Sequence, residues 1–569
     1  MSGAAYWYRY LIRYRDVAGI DWIANPELPS INCELHRDRA RLKNTRTRSG
    51  RQEMKKQLAA LAAALAWAFG APASFAADIK LVVNADQPGP VIHRNIYGQF
   101  AEHLGTGIYE GMWVGPDSKI PNVRGWRKDV VQALKDLKVP LVRWPGGCFA
   151  DEYHWREGIG PRAKRPVKVN TTWGGVPENN AVGTHEFFDL VEQLGAEAYV
   201  NGNLGTGSAQ EMAEWLEYMT AEGNSTLAQL RRKNGHDKPF RVNYFAVGNE
   251  AWGCGGNMRP EFYADQFRQV ATFLKTPADN RPILIASGGS DLRTDWTEVL
   301  SKGVRGVNAI SHHVYTLPTD KWEHKGTAVG FPESEWISTL ANTQRVEEIL
   351  AKNSAVLDRN DPKKKIGFYL DEWGSWYDAE PGSHPGFLVQ RNTLRDALLA
   401  ALHFHAFHAR ADRVQMTNVA QMVNVLQAMI LTSKDKLVLT PTYHAFALYT
   451  PFQDATSLPA KIENNPVYKV GATEMPELSA TAARGKDGKL YIDLVNSNAN
   501  QPADLTLQVG AAAPKAVHGK LLTAGAMDAQ NELGKPAQVV PQAFDAQAAD
   551  GKLTLKLPAK SVVVIAVEN

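Results

Sequence analysis

Cysteine is scarce in this chain of 569 residues: Cys33, Cys148 and Cys254 are the whole complement. So few exclude a disulfide framework as the basis of the fold, and their spacing matches no zinc or redox motif. The count itself leaves open whether Cys148 and Cys254 pair, with two free thiols the expectation. A surplus of one charge is missing too, at 63 Lys and Arg against 60 Asp and Glu. The small excess of base sits at the start, where residues 1–53 hold ten bases and six acids and Lys55 and Lys56 follow. Residues 77–569 are left with 51 bases against 54 acids, so no basic patch remains to suggest nucleic acid. Long apolar runs are absent apart from one at 57–77, which excludes a multispan membrane protein. No solenoid-period repeat or low-complexity stretch interrupts the rest. With 44% hydrophobic and 22% charged residues, the composition is that of a globular chain long enough for several domains.

The one apolar run has recognisable flanks. Met54-Lys55-Lys56 precedes it, and Ser74-Phe75-Ala76 supplies small residues at −3 and −1 of a cut after Ala76. That is the form of a secretory signal at 54–76; the competing reading is an uncleaved anchor, since 57–77 is just long enough to cross a bilayer. Residues 1–53 then read as an upstream extension, disordered and outside the folded protein. The expectation is a periplasmic or secreted protein with no stable membrane association after cleavage.

From about 95 to 440 the pattern is regular. Apolar runs at 95–100, 141–144, 198–201, 244–247, 283–286, 307–310, 366–370 and 414–416 alternate with helical stripes. Phe187, Leu190, Val191 and Leu194 form one stripe, and Met212, Trp215, Leu216 and Met219 another. Eight strands alternating with helices argue for parallel β/α units closed into a (β/α)₈ (TIM) barrel. After 440 the runs at 490–495, 505–509, 553–557 and 562–567 are short, β-type and separated by turn residues. This reads as an all-β C-terminal domain, 441–569, with a strand from 77–94 joining it.

In such a barrel, chemistry is expected where strands end. Those ends hold Gln99, Glu102 and His103; Arg143 and Cys148; Asn201 and Asn203; Asn249 and Glu250; His312, His313 and Tyr315; Asp371, Glu372 and Trp373; and Asn418 and Gln421. Carboxylates, amides and aromatics in this density suit a polyhydroxylated ligand. Glu250 and Glu372 close the fourth and seventh strands, across the mouth from each other. Glycoside hydrolysis needs such a pair, one carboxylic acid for the leaving oxygen and one carboxylate for the anomeric carbon.

Several long stretches make the chain recognisable: IYGQFAEHLG (96–105), RWPGGCFADEYHWREGIGP (143–161), VGTHEFFDL (182–190), FAVGNEAWGCGGNM (245–258), YLDEWGSWY (369–377) and TNVAQMVNVLQAM (417–429). It resembles the family 51 glycoside hydrolases, α-L-arabinofuranosidases acting on plant-wall polysaccharides. The resemblance covers the whole barrel and implies a retaining, exo-acting mechanism. Glu250 would be general acid/base, its proton held by the ionised Glu372 nearby, and Glu372 the nucleophile. It further implies substrate contacts from Glu102, Cys148, Asn249, His313, Tyr315 and Gln421, support from Arg143, and walls for the leaving sugar at Trp376 and Trp173. Tyr315 would hydrogen-bond the nucleophile. No cofactor or metal is called for. The implied partners are arabinan, arabinoxylan or arabino-oligosaccharides as substrates, and a homohexamer as assembly. One departure stands out: relatives often carry Arg after His-Leu-Gly, where this chain has Thr106.

Other features of the sequence have plainer explanations. Adjacent His312 and His313 would point to opposite strand faces and so not share a metal. His403, His405 and His408 fall on a helix, where only His405 and His408 share a face, and they read as cover for the barrel exterior. The pairs Gly146-Gly147 and Gly288-Gly289 lack the lysine and spacing of a phosphate loop and read as tight turns. The remaining alternatives were an endo-β-glycanase of the same family and a carbohydrate-binding protein without catalysis.

Overall fold

A computed structural model describes residues 78–511 and 514–568; the assignments made for 1–53 and 54–76 lie outside them. Eight parallel strands close into a barrel: Gly98–Phe100, Leu141–Trp144, Glu197–Gly202, Tyr244–Val247, Ile283–Ala286, Ala309–Thr316, Gly367–Ser375 and Val414–Val419. The eighth pairs with the first to complete the ring. The barrel and the C-terminal β region are those expected from the hydrophobic pattern. The first strand is shorter than its apolar run, because Arg94–Tyr97 winds into a 3₁₀ turn capped by His93. The sixth and seventh strands are longer than theirs, so Tyr315 and Glu372 lie within strands rather than after them.

The helices form for reasons visible in their residues. Ala209–Thr220 starts at Ser208, whose hydroxyl accepts the Glu211 N–H, and buries Met212, Trp215, Leu216 and Met219 against the strands. Thr184–Leu194 buries Phe187, Leu190 and Val191 and stops at Gly195, which has φ 68°. The barrel bore is packed, not open: Leu141, Tyr199, Tyr244, Ala246, Ile285, Ala309, Tyr369 and Met416 fill it.

The C-terminal region is a sandwich of a four-stranded and a six-stranded sheet. Ile79–Val83 lies in the smaller sheet, antiparallel to Ala460–Glu463 and parallel to Ala503–Val509. Alternate residues such as Leu81, Val83, Ile492, Leu494, Leu505, Leu507, Leu555, Val563 and Ile565 make the core between the sheets.

The helix Leu394–His408 is buried on all sides, wedged between barrel and sandwich. Its histidines cover the barrel exterior, as expected, but beneath the sandwich rather than toward solvent. His405 reaches Ser479 and Asp493 of the sandwich, and His408 lies between Tyr97 of the barrel and Thr481. His403 turns the other way and stacks on Trp373, ring centroids 5.1 Å apart. Among the described residues no helix is long and apolar enough to cross a membrane.

Candidate active site

The strand ends converge on two carboxylates. Glu372 accepts a 2.7 Å hydrogen bond from Arg143 Nη1 on one oxygen and a 2.8 Å bond from the Tyr315 hydroxyl on the other. Glu250 Oε1 lies 2.8 Å from His313 Nδ1, and the same nitrogen is 3.4 Å from Glu372 Oε2. Oxygens of Glu250 and Glu372 and a nitrogen of His313 all fall within 4.8 Å of one another. Arg143 Nη2 donates to Asn249 Oδ1 at 2.6 Å, so one buried guanidinium orients the nucleophile candidate and the neighbour of the acid/base candidate together.

Local backbone irregularities make this convergence possible. The pairing of the seventh strand with the eighth shifts register between Leu370 and Trp373, and a shift of this kind re-aims side chains beside active sites. It lets consecutive Asp371 and Glu372 both face inward. Asp371 accepts from Tyr199 at 2.6 Å and lies 3.1 Å from His313 Nε2. The sixth strand keeps its alternation at His312 and His313: His313 faces the site, while His312 bonds the Asp291 carbonyl behind it. After the fourth strand the chain reverses through Gly248 (φ 78°) and Glu250 (φ 38°). A left-handed conformation at a glutamate costs about 1–3 kcal/mol and is held by its surroundings.

Asp151 provides much of that hold. It is buried and accepts the backbone N–H groups of Leu204, Gly205 and Asn249 at 2.7–2.9 Å, tying the loops of the second, third and fourth strands together. Burial raises its pKa to about 7 against those three bonds. Asp151 has no signal in the sequence, and Asp371 stands there only among the strand-end residues, with no role assigned. Simple alternation turns Asp371 away from the site, and Asp151 acts through backbone groups that leave no pattern.

Electrostatics follow from the packing. Burial alone would lower the His313 pKa, but the Glu372 and Asp371 carboxylates outweigh it and push the value up to about 10. His313 is therefore an imidazolium that donates to Glu250 and Asp371. Arg143 is raised above its ordinary value by Asp371 and Glu372 despite its burial, and Asp371 is lowered by Arg143 and His313 despite its own. The two carboxylates and the imidazole between them form a hydrogen-bonded chain of the kind that moves protons.

A second cluster lines the side toward the first and eighth strands. Glu102 accepts the Gly147 and Phe149 N–H groups at 2.9 and 3.1 Å and Gln421 Nε2 at 3.0 Å. Burial, reinforced by Glu372, raises its pKa to about 7. The Trp173 indole opposes that rise from beside it without reaching hydrogen-bond geometry. Gln421 Oε1 has no partner among the described residues, which leaves an acceptor for a hydroxyl. Trp376 packs edge-to-face on Tyr315 at 4.9 Å. The structure thus brings Glu102, Arg143, Asn249, Glu250, His313, Tyr315, Glu372 and Gln421 into one site, with Trp173 and Trp376 at its sides.

Cys148 also reaches this site, in a form not expected. It is disulfide-bonded to Cys254, their Cα atoms 5.6 Å apart, which corrects the expectation of two free thiols. The loops after the second and fourth strands, 106 residues apart in sequence, meet at the barrel mouth within bridging distance. The two sulfurs lie 3.9 and 3.6 Å from Glu250 Oε2. A disulfide sulfur carries no proton, so these are packing contacts against the carboxylate.

Comparison with known proteins agrees with the geometry. Residues 133–328 match the α-L-arabinofuranosidase 1 domain and residues 371–561 the α-L-arabinofuranosidase C-terminal domain. An intracellular exo-α-L-arabinofuranosidase of Bacteroides ovatus is 47% identical over 90% of this chain and 99% of its own length. The chain belongs to the family 51 α-L-arabinofuranosidases. The crystal structure of a GH51 arabinofuranosidase from Xanthomonas axonopodis pv. citri superposes with a TM-score of 0.84 at 50% identity, covering 86% of this chain and all of that one. An arabinose complex of the Thermotoga maritima α-L-arabinofuranosidase gives 0.76 at 30% identity, with the same coverage.

Membership of the family also brings a correction. The Bacteroides ovatus arabinofuranosidase is named as intracellular, which overturns the periplasmic or secreted location expected from 54–76. A short charged-apolar-small pattern is a weak signal beside a relative aligned over nearly its full length. Thr106, the departure noted in sequence, is held by Asn424 Nδ2, which donates to both its carbonyl and its hydroxyl at 3.1 Å. It ties the first loop to the segment following Gln421.

Proposed function

We propose that this chain is a retaining, exo-acting α-L-arabinofuranosidase. It releases terminal α-L-arabinofuranosyl residues from arabinose-containing substrates: arabinan, arabinoxylan or arabino-oligosaccharides. The observation that carries the mechanism is the approach of Glu250 and Glu372 to within 4.8 Å, with His313 between them. Retaining glycosidases hold their carboxyl groups about 5–5.5 Å apart, and inverting ones about 6.5–9.5 Å. The exo mode has its support in the 47% identical relative named for it, and nothing in the site favours an endo-glycanase or a catalytically silent binder.

In the first step a Glu372 oxygen attacks the anomeric carbon as the bond to the glycosidic oxygen breaks. That oxygen takes the proton held at Glu250, and the leaving alcohol departs. In the second step Glu250 removes a proton from water, the water oxygen attacks the same carbon, and Glu372 is released with arabinose. His313, the donor in its 2.8 Å contact with Glu250, is a proton source beside the acid/base. Arg143 and Tyr315 each hold one oxygen of the nucleophile and aim it. Glu102 and Gln421 offer an acidic oxygen and a free amide oxygen to the sugar hydroxyls.

The test is initial-rate hydrolysis of aryl α-L-arabinofuranoside, β-D-xyloside and β-D-glucoside together with a polymeric β-glucan. Turnover is expected on the arabinofuranoside, lost by several orders of magnitude in Glu372→Ala. Glu250→Ala should spare substrates with good leaving groups in the first step. Release from β-glucan without arabinofuranoside turnover would refute the reading.

A further inference from the structure

A line of aromatic rings runs outward from the nucleophile. The Tyr315 hydroxyl bonds Glu372, Trp376 packs edge-to-face on Tyr315, and Trp322 packs edge-to-face on Trp376 with centroids 5.3 Å apart and planes at 86°. Trp322 is 49% exposed and is the only tryptophan among the exposed large apolar side chains of the described residues. Leaving a ring of this size open to water forgoes a large hydrophobic stabilisation, yet its loop is firmly placed. The Lys325 ammonium donates to the Trp322 carbonyl at 3.0 Å and sits 5.9 Å from both indole centroids. The Lys325 N–H donates to Asp378 at 3.0 Å, His324 pairs with Asp378 at 2.7 Å, and the Asp378 N–H returns a 2.9 Å bond to the Gly326 carbonyl. Asp378 lies two residues beyond Trp376, so these contacts keep the two indoles in register.

We propose that Trp322 is an outer sugar-binding surface that stacks the second sugar of the leaving chain, beyond the one held at Trp376. The proposal rests on the arabinofuranosidase reading and narrows its substrate class to glycans with at least two sugars on the leaving side. Three features select a carbohydrate as the occupant. The ring continues the wall of the site without a break, its exposed face suits the apolar face of a sugar, and the Lys325 ammonium beside it can donate to hydroxyls. Because the indoles stand perpendicular, the two leaving-side sugars rest on differently oriented faces, which fits a chain that turns as it exits.

The experiment compares kcat/KM on α-1,5-linked arabinobiose, whose leaving group is one sugar, with arabinotriose, whose leaving group is two. For Trp322→Ala the triose-to-biose ratio should fall about three- to tenfold relative to wild type, the range of one aromatic contact, with the change in KM rather than kcat. Trp322→Tyr should restore most of the ratio. Affinity for the triose in the inactive Glu372→Ala background should weaken by the same factor when Trp322→Ala is added. An unchanged ratio, or equal losses on both sugars, would overturn the proposal, the latter showing that Trp322 only braces Trp376. A wild-type enzyme that cleaves neither sugar nor an aryl arabinofuranoside would instead refute the function on which the proposal rests.

Discussion

Adding one methyl group at Gly147 is expected to disable the enzyme without unfolding it. A Cβ at this position would overlap Glu372 Oε1 and stand 3.4 Å from Asn249 Nδ2. Restoring an ordinary contact of about 3.5 Å requires the carboxylate to move by roughly 1 Å. That shift draws Glu372 off Arg143 Nη1 and the Tyr315 hydroxyl, which hold it at 2.7 and 2.8 Å. A displacement of about 1 Å in a reacting group costs about 10²-fold in rate, or about 2.7 kcal/mol of activation free energy. The overlap is with one side chain at the edge of a cleft, so the stability cost should stay near the lower end of the 1–3 kcal/mol typical of overpacking. Initial rates of Gly147→Ala on an aryl arabinofuranoside, with thermal denaturation alongside, test this. A kcat within twofold of wild type in a folded variant would show that Glu372 is not confined as described.

Three further outcomes follow from the same structure. His313 is raised from 6.5 to about 10, so its ionised form stabilises the fold fully below pH 6.5 and loses that effect as pH rises through 10. The stability gap between wild type and His313→Gln in denaturant titrations should shrink across that window, and a constant gap would count against the imidazolium. Asp493→Ala removes the carboxylate shared by the Tyr449 hydroxyl and His405 between barrel and sandwich; the hydroxyl keeps the Ala401 carbonyl at 3.2 Å, so the cost is about 1–3 kcal/mol for the His405 nitrogen left unpaired. Chemical denaturation should register the loss with little change in KM. Cys254→Ser opens a bridge spanning 106 residues and should lower stability by about 2–4 kcal/mol; a reductant should have the same effect on wild type and none on the variant.

How much of this was legible beforehand depends on the kind of signal each element leaves. The strands at Leu141–Trp144, Tyr244–Val247 and Ile283–Ala286 show as apolar runs bounded by turns, and the eight-fold alternation with helices points to a barrel. C-terminal strands such as Ala460–Glu463, Thr473–Pro476 and Gln542–Gln547 are largely exposed, and lacking an apolar run they escape notice. Buried histidines on an all-round buried helix are ambiguous until the sandwich is placed over them.

The residue types and their order determined the barrel, the paired glutamates and the family, because parallel β/α units and strand-end motifs are local patterns. Barrel closure alone decided that Cys148 meets Cys254, that Asp371 and Glu372 face inward together, and that His313 is charged. Those facts depend on which loops become neighbours around the ring, and on register shifts between strands. Residues 58 to 106 positions apart carry no spacing rule that predicts either.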